Sequence, residues 1–270
     1  MVKKIIELYD YRELLFNLVK RELKVKYKKS VLGFFWSLLN PLLTMLVFTF
    51  VFAFVLRIQP PKNSLGLASF PMFLLIALLP WNFFSITLGS AVGSIVFNSN
   101  LIRKVYFPRE ILPISLTLAN LINFFLELLV LFAFLAILGY PFYRFLYLLL
   151  VIIFIQLLFT VGVSLVFAML NVYFRDVQHF VGIILMVWFY ATPIIYPFEM
   201  IPKRWRGLPI QFILKLNPLT ALTLSYRDIL YFYKAPSFGL LGYAGGVSLL
   251  LLSLAYFLFK RYEPSFAEEV

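Results

Sequence analysis

The chain has 270 residues, of which 63% are hydrophobic and 13% are charged. A soluble domain carries about 25% charged residues, so lipid must cover much of this protein's surface. The net charge of +12 does not indicate nucleic acid, because the cations cluster near the N-terminus and in one late segment, which favours contact with anionic lipid headgroups. The chain has no cysteine and one histidine, His179, which excludes disulfides and argues against a metal site.

The N-terminal segment, residues 1–31, is predicted to be cytoplasmic and to contain an amphipathic interfacial helix. Apolar residues recur at helical spacing from Tyr11 to Val19, and cations occupy the other face as far as Lys28. This pattern is typical of a helix that lies in the headgroup plane, although an ordinary juxtamembrane anchor has the same composition. A cleaved signal peptide is not indicated, because the apolar run that follows is too long and lacks a small-residue cleavage pattern.

Six apolar segments are predicted to cross a bilayer, which takes about 20 residues of helix each. They form one transmembrane domain, residues 32–260, before a short cytoplasmic tail, residues 261–270. An even number places both termini on one side, and the excess of lysine and arginine on that side predicts that it is the cytoplasm. The predicted fold is therefore an all-α polytopic membrane protein. The predicted spans are Leu32–Leu56, Phe70–Phe97, Ile111–Leu138, Phe145–Asn171, Phe180–Tyr196 and Phe238–Phe259.

Two predicted cytoplasmic loops carry candidate contacts with a partner protein. Asn98–Ser115 is too polar to cross lipid but has an apolar face, and Pro108 is predicted to end its helix. A short rigid helix that docks against a partner is favoured over a simple connection. In the loop Asn171–Phe180, Arg175 and Asp176 could form a surface ion pair or could contact a partner. The sequence alone supports the two interpretations equally.

The proline-rich segment between the fifth and sixth spans is predicted to form two short outer helices. One lies around Leu208–Leu216 and the other runs from Pro218 to about Tyr231. Asn217 is predicted to cap the second helix, because an asparagine N-cap followed by proline at the first helical position is a common helix start. Neither helix is long enough to span, so both are expected to be re-entrant or to cover a cavity.

Glu127 is the one clearly intramembrane carboxylate of the sequence, with Asn123 one turn and Asn120 two turns before it. An ionisable group at this depth is a functional hypothesis by default. A proton relay is one reading, but a relay commonly uses several carboxylates or histidines, and no other span supplies one. A structural glutamate that faces the bundle or a cavity and is satisfied there is the favoured interpretation.

Several aromatic side chains lie within predicted spans. Sugar rings stack on aromatic faces through their apolar C–H surfaces, so an aromatic channel would suit a glycan without binding any one unit tightly. Packing against lipid is the alternative for each single ring. The candidate channel residues are Phe34, Trp36, Phe83, Phe84, Trp188, Phe189, Tyr190 and Tyr196.

The sequence has no G-x-x-x-x-G-K-[ST] motif, so the chain is not expected to bind ATP in the usual manner. It also has no Ser/His/Asp set or carboxylate pair in a polar domain that would indicate hydrolysis. We therefore expect a transport subunit without its own motor, not an enzyme.

Four motifs together resemble the permeases of ABC transporters that export polysaccharides, which include the O-antigen, capsule and teichoic-acid exporters of bacteria. The resemblance covers nearly the whole chain, in the order and spacing of that family. The motifs are YKKSVLGFFWSLLNPL (Tyr27–Leu42), KVYFPREILPIS (Lys104–Ser115), FRDVQHF (Phe174–Phe180) and ATPIIYP (Ala191–Pro197).

The resemblance implies a homodimer in the bacterial cytoplasmic (inner) membrane, with each subunit paired to a separate ATPase subunit that holds ATP and Mg. This chain would carry no cofactor. A lipid-linked polysaccharide would pass through a channel at the dimer interface, lined partly by spans one and five. Alternatives are an ABC-type small-molecule or drug efflux permease, or an ion-coupled secondary transporter that uses Glu127.

The resemblance also implies which residues contact the ATPase. The main cytoplasmic coupling helix of the family falls on Asn98–Glu110, its second ATPase contact falls on Arg175–Asp176, and its outer re-entrant helices fall on Leu208–Tyr231. The predicted coupling residues are Asn100, Leu101, Arg103, Lys104, Tyr106, Phe107, Pro108, Arg109, Glu110, Arg175 and Asp176.

Overall fold

The computed structural model describes residues 10–28, 33 and 35–270. In this part of the chain the secondary structure is helical, and extended backbone pairs only at one isolated bridge, between Trp205 and Leu208. The all-α prediction is therefore confirmed for the described residues. Phe34, a predicted channel residue, lies outside them.

The α-helices follow one another along the chain with short connections. Helix α2 continues as a π-helical segment, Thr49–Val55, and a 3-10 turn, Phe142–Phe145, leads into α7. The helices are α1 (Arg12–Tyr27), α2 (Phe35–Phe48), α3 (Phe70–Ala91), α4 (Ser94–Phe97), α5 (Ser99–Lys104), α6 (Ile111–Ile137), α7 (Leu146–Tyr173), α8 (Val177–Tyr190), α9 (Ile210–Lys215), α10 (Pro218–Leu230), α11 (Phe238–Tyr262) and α12 (Phe266–Glu269).

Among the described residues, 5 helical segments are long and apolar enough to cross a membrane. They correspond to five of the six predicted spans, all except the fifth. These segments are Leu38–Val55, Phe70–Ala91, Ile111–Ile137, Phe142–Tyr173 and Phe238–Glu269.

The fifth predicted span, Phe180–Tyr196, is shorter in the structure than the sequence suggested. Helix α8 has 14 residues and is therefore about 21 Å long at 1.5 Å per residue, against a hydrocarbon core of about 30 Å. The helix ends at Tyr190 because Pro193 disfavours helical backbone at the residue before it. The prediction of a continuous helix as far as Tyr196 is wrong.

The segment between the second and third spans also differs from its prediction. Helix α3 ends at Ala91, and two short helices, α4 and α5, follow. Helix α5 ends at Lys104, and Val105 already has extended backbone angles, φ −133° and ψ 132°. The expected helix up to Pro108 is thus one and a half turns of helix followed by extended chain.

Helix α3 lies at the centre of the bundle and packs against α2, α6, α7, α8 and α10. Its sequence, FPMFLLIALLPWNFFSITLGSA, is apolar on nearly every side, which is typical of a helix that other helices enclose. Helices α7 and α11 make the most extensive pairwise contact. Where these helices meet, a Cβ on Gly162 would lie 3.1 Å from the main-chain nitrogen of Leu252, so a larger residue there would require the backbone of α11 to move by a few tenths of an ångström.

Helices α2 and α8 contact each other through Phe48 and Phe189, whose ring centroids are 6.1 Å apart. Both helices expose a row of apolar side chains on the outside of the chain. Such a surface needs lipid or a protein partner to cover it. The exposed residues are Leu43, Leu46, Val47, Phe50 and Phe54 on the first helix and its π-helical extension, and Ile183, Met186, Val187 and Tyr190 on the second.

Four segments that are distant in sequence meet at one end of the bundle, here called the tail end. They are helix α1, residues 92–110, residues 174–176 and the C-terminal tail, residues 263–270. Arg21 Nη2 donates to Asn98 Oδ1 over 3.0 Å, and Arg175 Nη2 donates to the carbonyl oxygen of Glu269 over 3.0 Å. The first described helix and the last residues therefore share one end, as the sequence predicts; the opposite end is called the far end.

Candidate coupling surface and polar cavity

A buried ion-pair network joins the start of α6 to the end of α11. Lys260 Nζ lies 2.6 Å from Glu110 Oε1 and 2.9 Å from Glu263 Oε2. The main-chain N–H of Arg109 donates to Glu263 Oε1 over 2.8 Å, and its guanidinium donates to the main-chain carbonyl of Glu263. Burial raises the pKa of the Glu110 carboxyl group, while the hydrogen bond from Lys260 opposes that change. No local sequence pattern indicated this network.

The C-terminal tail contacts both predicted coupling loops. The guanidinium of Arg103, in helix α5, donates to the carbonyl oxygen of Val270. Arg175, in the second loop, donates to the carbonyl oxygen of Glu269. Phe266 anchors the tail between them, since its ring is fully buried and lies 5.2 Å from that of Phe259 in α11. The tail therefore connects α5, the second loop and the last long helix.

The predicted coupling residues divide into a buried group and an exposed group. Arg175 and Asp176 form no ion pair with each other among the described residues, so the surface-ion-pair reading is not supported. Arg109, together with Glu110, is bound inside the chain instead of being available to a partner. Phe107, Pro108 and Glu110 are buried, Leu101 and Arg109 are half-buried, and Asn100, Arg103, Lys104, Tyr106, Arg175 and Asp176 are exposed.

Large apolar side chains are exposed at the tail end next to these cations. Tyr106 is 81% exposed, and Phe97, Val105 and Phe174 are also exposed. Aromatic side chains with nearby arginines are typical of protein-binding surfaces. The tail end thus carries the features of a docking surface.

Helix α1 packs along α6, where Leu18 and Val19 are buried. This packing brings Lys26 towards the predicted intramembrane polar residues, and Lys26 Nζ lies 3.4 Å from Asn120 Oδ1. Desolvation lowers the pKa of Lys26, and the nearby charge of Glu127 opposes that change. The sequence predicted a basic helix face here but did not single out Lys26.

The side chains of Lys26 and Glu127 line one polar cavity of about 230 Å³. Glu127 therefore faces a cavity, but its carboxylate accepts no hydrogen bond within the described chain, so the prediction of a satisfied structural glutamate is not supported. A second cavity of about 210 Å³, which shares Lys26, is lined by Asn120 and Asn123. The other residues that line the first cavity are Trp36, Asn40, Pro41, Asn82 and Ile86.

The predicted channel aromatics lie in different surroundings. Phe83 and Phe84 are core residues: Phe83 stacks on Phe124 at 5.2 Å, and the Phe84 ring lies 5.1 Å from Trp188. Other side chains of the described residues enclose both rings, which does not support their prediction as channel-lining residues. Trp36 and Tyr190 are exposed, while Trp188, Phe189 and Tyr196 are half-buried.

Helix α10 inserts between α3, α7 and α11. Its bounds and its cap match the prediction, because Asn217 Oδ1 accepts a hydrogen bond from the Leu219 N–H over 3.1 Å. Trp188 Nε1 also donates to Asn217 Oδ1, over 3.0 Å, and so joins the start of α10 to α8. Farther along, Tyr226 donates to Gln156 Oε1 over 2.6 Å, about three turns into α7 from its far-end start. The helix thus reaches the interior of the bundle.

These features define a helical membrane protein with a helix inserted into one end and a candidate docking surface at the other. The ABC-2 type transporter family model matches residues 13–231. The chain therefore belongs to the ABC-2 type transporter family.

Three relatives agree with this assignment. The chain is 39% identical over 272 residues to the O-antigen export system permease protein RfbA of Myxococcus xanthus, with 100% of each chain covered. It is 35% identical over 218 residues to the RfbA protein of Klebsiella pneumoniae, 80% of each chain. It is 26% identical over 205 residues to the polysialic acid transport protein KpsM of Escherichia coli, with 68% of this chain and 70% of KpsM covered.

Proposed function

We propose that this chain is the membrane-spanning channel subunit of an ATP-driven exporter that moves a lipid-linked polysaccharide across the bacterial cytoplasmic membrane. The observation that carries the proposal is the match to an O-antigen export permease over the entire chain. The far-end helix α10 and the exposed tail-end surface are the structural features that such a subunit requires. ATP and Mg are held by a separate ATPase subunit.

The chain crosses the membrane six times in this proposal, and α8 provides the short fifth crossing. Helix α8 starts at the tail end and reaches Asn217 at the inner end of α10. Residues 191–197 and helix α10 then complete the far half of the membrane, so that α9 and α10 are re-entrant elements. The tail end is cytoplasmic, in agreement with the predicted lysine and arginine bias.

Two copies form the channel through their α2 and α8 faces. Those helices expose apolar rows along their lengths, whereas α3 is almost wholly enclosed. A dimer that pairs these faces covers them and places Trp36 and Tyr190 near the axis. This arrangement supports a channel between two subunits and not through one.

Deletion of the gene for this chain tests the proposed function. We expect the surface polysaccharide to disappear and the lipid-linked glycan to accumulate on the cytoplasmic face of the membrane. The measurement is surface glycan staining together with glycan analysis of inside-out vesicles, and the control is a plasmid copy of the gene. Unchanged surface glycan in the deletion strain would contradict the proposal, and impaired drug efflux alone would favour the small-molecule alternative.

Tyr106→Asp tests the coupling surface. Tyr106 is 81% exposed at the tail end, and a carboxylate in an apolar contact with the ATPase subunit would be desolvated without a partner. We expect export to fall at least tenfold and less ATPase subunit to copurify, while the permease level stays normal. The matched control is Tyr143→Asp, at a tyrosine that is 72% exposed at the far end; equal export by the two variants would refute the assignment.

A further inference from the structure

The polar cavity beside Glu127 is built by side chains from four helices. Helix α1 contributes Lys26, α2 contributes Trp36 and Asn40, α3 contributes Asn82, and α6 contributes Glu127. Four elements converge on one space of about 230 Å³, which is below the size of about 300–1,000 Å³ that drug-sized ligands occupy. The space suits one ring-sized group and not a length of polymer.

Three polar groups of this cavity have no protein hydrogen-bond partner in the described chain. They are the side-chain amides of Asn40 and Asn82 and the carboxylate of Glu127, although only 8% of Glu127 is exposed. The side-chain amide of Gln156, which is buried in the core, differs from these groups because its hydrogen bonds are made within the protein. Both polar atoms of Gln156 are bonded, to the Pro80 carbonyl and to the Tyr226 hydroxyl, over 2.7 and 2.6 Å. Asn40 is exposed and Asn82 is half-buried, so their amides are open to solvent or to a ligand. The carboxylate of Glu127 is buried and lies close enough to Lys26 for the two charges to interact.

The chemistry of these groups matches a sugar better than the other components of a lipid-linked glycan. Each hydroxyl of a pyranose both donates and accepts, and amides and a carboxylate serve both needs. Trp36 is 44% exposed, so its ring can cover the apolar C–H face of a sugar. An acyl chain would leave the polar groups unsatisfied. A phosphate would meet both the carboxylate of Glu127 and the cation Lys26, whose effects oppose each other, so the stacking surface of Trp36 and the two amides are what favour a sugar.

We propose that this polar cavity is a subsite for one neutral sugar unit of the exported glycan. Trp36 stacks on the sugar ring, and Asn40, Asn82 and Glu127 bond its hydroxyls. The inference rests on the proposed function, because it assigns the cavity to the same substrate. It adds a specific sugar contact at the level of the membrane, next to helix α1 and away from the aromatic rings deeper in the bundle.

In-cell photocrosslinking of the assembled transporter tests the proposal. A benzophenone amino acid replaces Ile86, which lines the cavity without taking part in its hydrogen bonding. The control position is Leu250, which is exposed on α11. We expect a glycan-positive crosslink at position 86 and none at 250. When Asn82→Leu or Glu127→Leu is added to the position-86 protein, we expect the yield of the glycan crosslink to fall at least tenfold. Glu127→Gln should restore part of that yield, because it keeps a hydrogen-bonding oxygen. Copurification with the ATPase subunit checks that each variant assembles.

Two outcomes overturn the subsite. One is equal crosslinking at positions 86 and 250, and the other is undiminished crosslinking at 86 in both leucine variants. In purified complexes, polyprenyl diphosphate without sugar is the probe for headgroup binding; crosslinking it as strongly as polyprenyl diphosphate hexose would assign the cavity to phosphate instead. If the proposed function itself is wrong, the result differs: the transporter with the unsubstituted chain would not export glycan at all.

Discussion

Arg227→Leu is expected to lower the free energy of unfolding by about 3–5 kcal/mol, because it removes a buried cation that several main-chain carbonyls use as their donor. Arg227 is 1% exposed in helix α10. Its guanidinium donates to the carbonyl oxygens of Pro193 over 2.5 Å and Ile194 over 2.6 Å, and its Nε donates to that of Phe73 over 3.3 Å. The leucine leaves these three buried carbonyls without their donor.

The arginine matters because two of those carbonyls, of Pro193 and Ile194, lie outside any helix and have no helical N–H to satisfy them. Pro193 follows the end of α8, so the carbonyls of Pro193 and Ile194 lie in irregular backbone between α8 and α10. One planar side chain bonds both of them and also covers the Phe73 ring, with its central carbon 3.5 Å from the ring centroid. Arg227→Lys is expected to recover only part of the stability, because an ammonium group lacks the planar fork.

Thermal unfolding of the detergent-purified protein, followed by fluorescence-detected size exclusion, measures this effect. Arg204→Leu is the matched control, at an exposed arginine between α8 and α9, where a surface change is worth within about 0.5 kcal/mol. Equal melting temperatures for the two variants would show that Arg227 does not hold α10 in place.

Lys260→Met is expected to cost about 3–5 kcal/mol, because it removes one partner of a buried pair and leaves Glu110 without a cation. Lys260 Nζ lies 2.6 Å from Glu110 Oε1, and the side chain of Glu110 is 1% exposed. The matched control is Lys234→Met, since Lys234 is 61% exposed in its pair with Asp228, and exposed pairs contribute about 0–1 kcal/mol.

The loss of stability caused by Lys260→Met should depend on pH in a defined direction. Burial raises the pKa of Glu110 above its ordinary value of 4.5, so the folded protein binds this proton more tightly than the unfolded chain does. Stability from such a group is present below pH 4.5 and is lost as pH rises through the folded pKa. Lys260→Met should therefore be most destabilised at neutral pH and partly rescued by acid.

The double variant Glu110→Gln/Lys260→Met separates charge from packing. We expect it to regain most of the stability lost at neutral pH and to show no acid rescue from this site. Unfolding temperatures between pH 5 and pH 8 provide the measurement. A double variant as unstable as Lys260→Met would mean that the lysine acts through packing and not through the glutamate.

Local sequence signals predicted the elements whose causes are local. Helix α10 starts where Asn217 and Pro218 indicate, and its cap accepts the expected N–H. The five long spans follow from apolar length alone. The sequence predicted the end of α8 too late, because the apolar run continues past Pro193. The helix itself ends at Tyr190.

Contacts between distant segments were beyond the reach of a single sequence. Phe83 and Phe84 look like membrane aromatics, but α3 is central, so both rings are enclosed. Lys26 is one of several cations on α1, and only the packing on α6 distinguishes it from them. Arg109 and Glu110 look like surface charges next to a helix, but the fold pairs them with Glu263 and Lys260.

The C-terminal tail has a mechanical consequence for the two loops at that end. Arg103 and Arg175 both bond its backbone, and Phe266 fixes it to α11. The first loop cannot shift without transmitting strain to the second loop and to the last crossing. Force applied to either loop is therefore transmitted through the tail to the other loop and to α11, instead of moving a single helix.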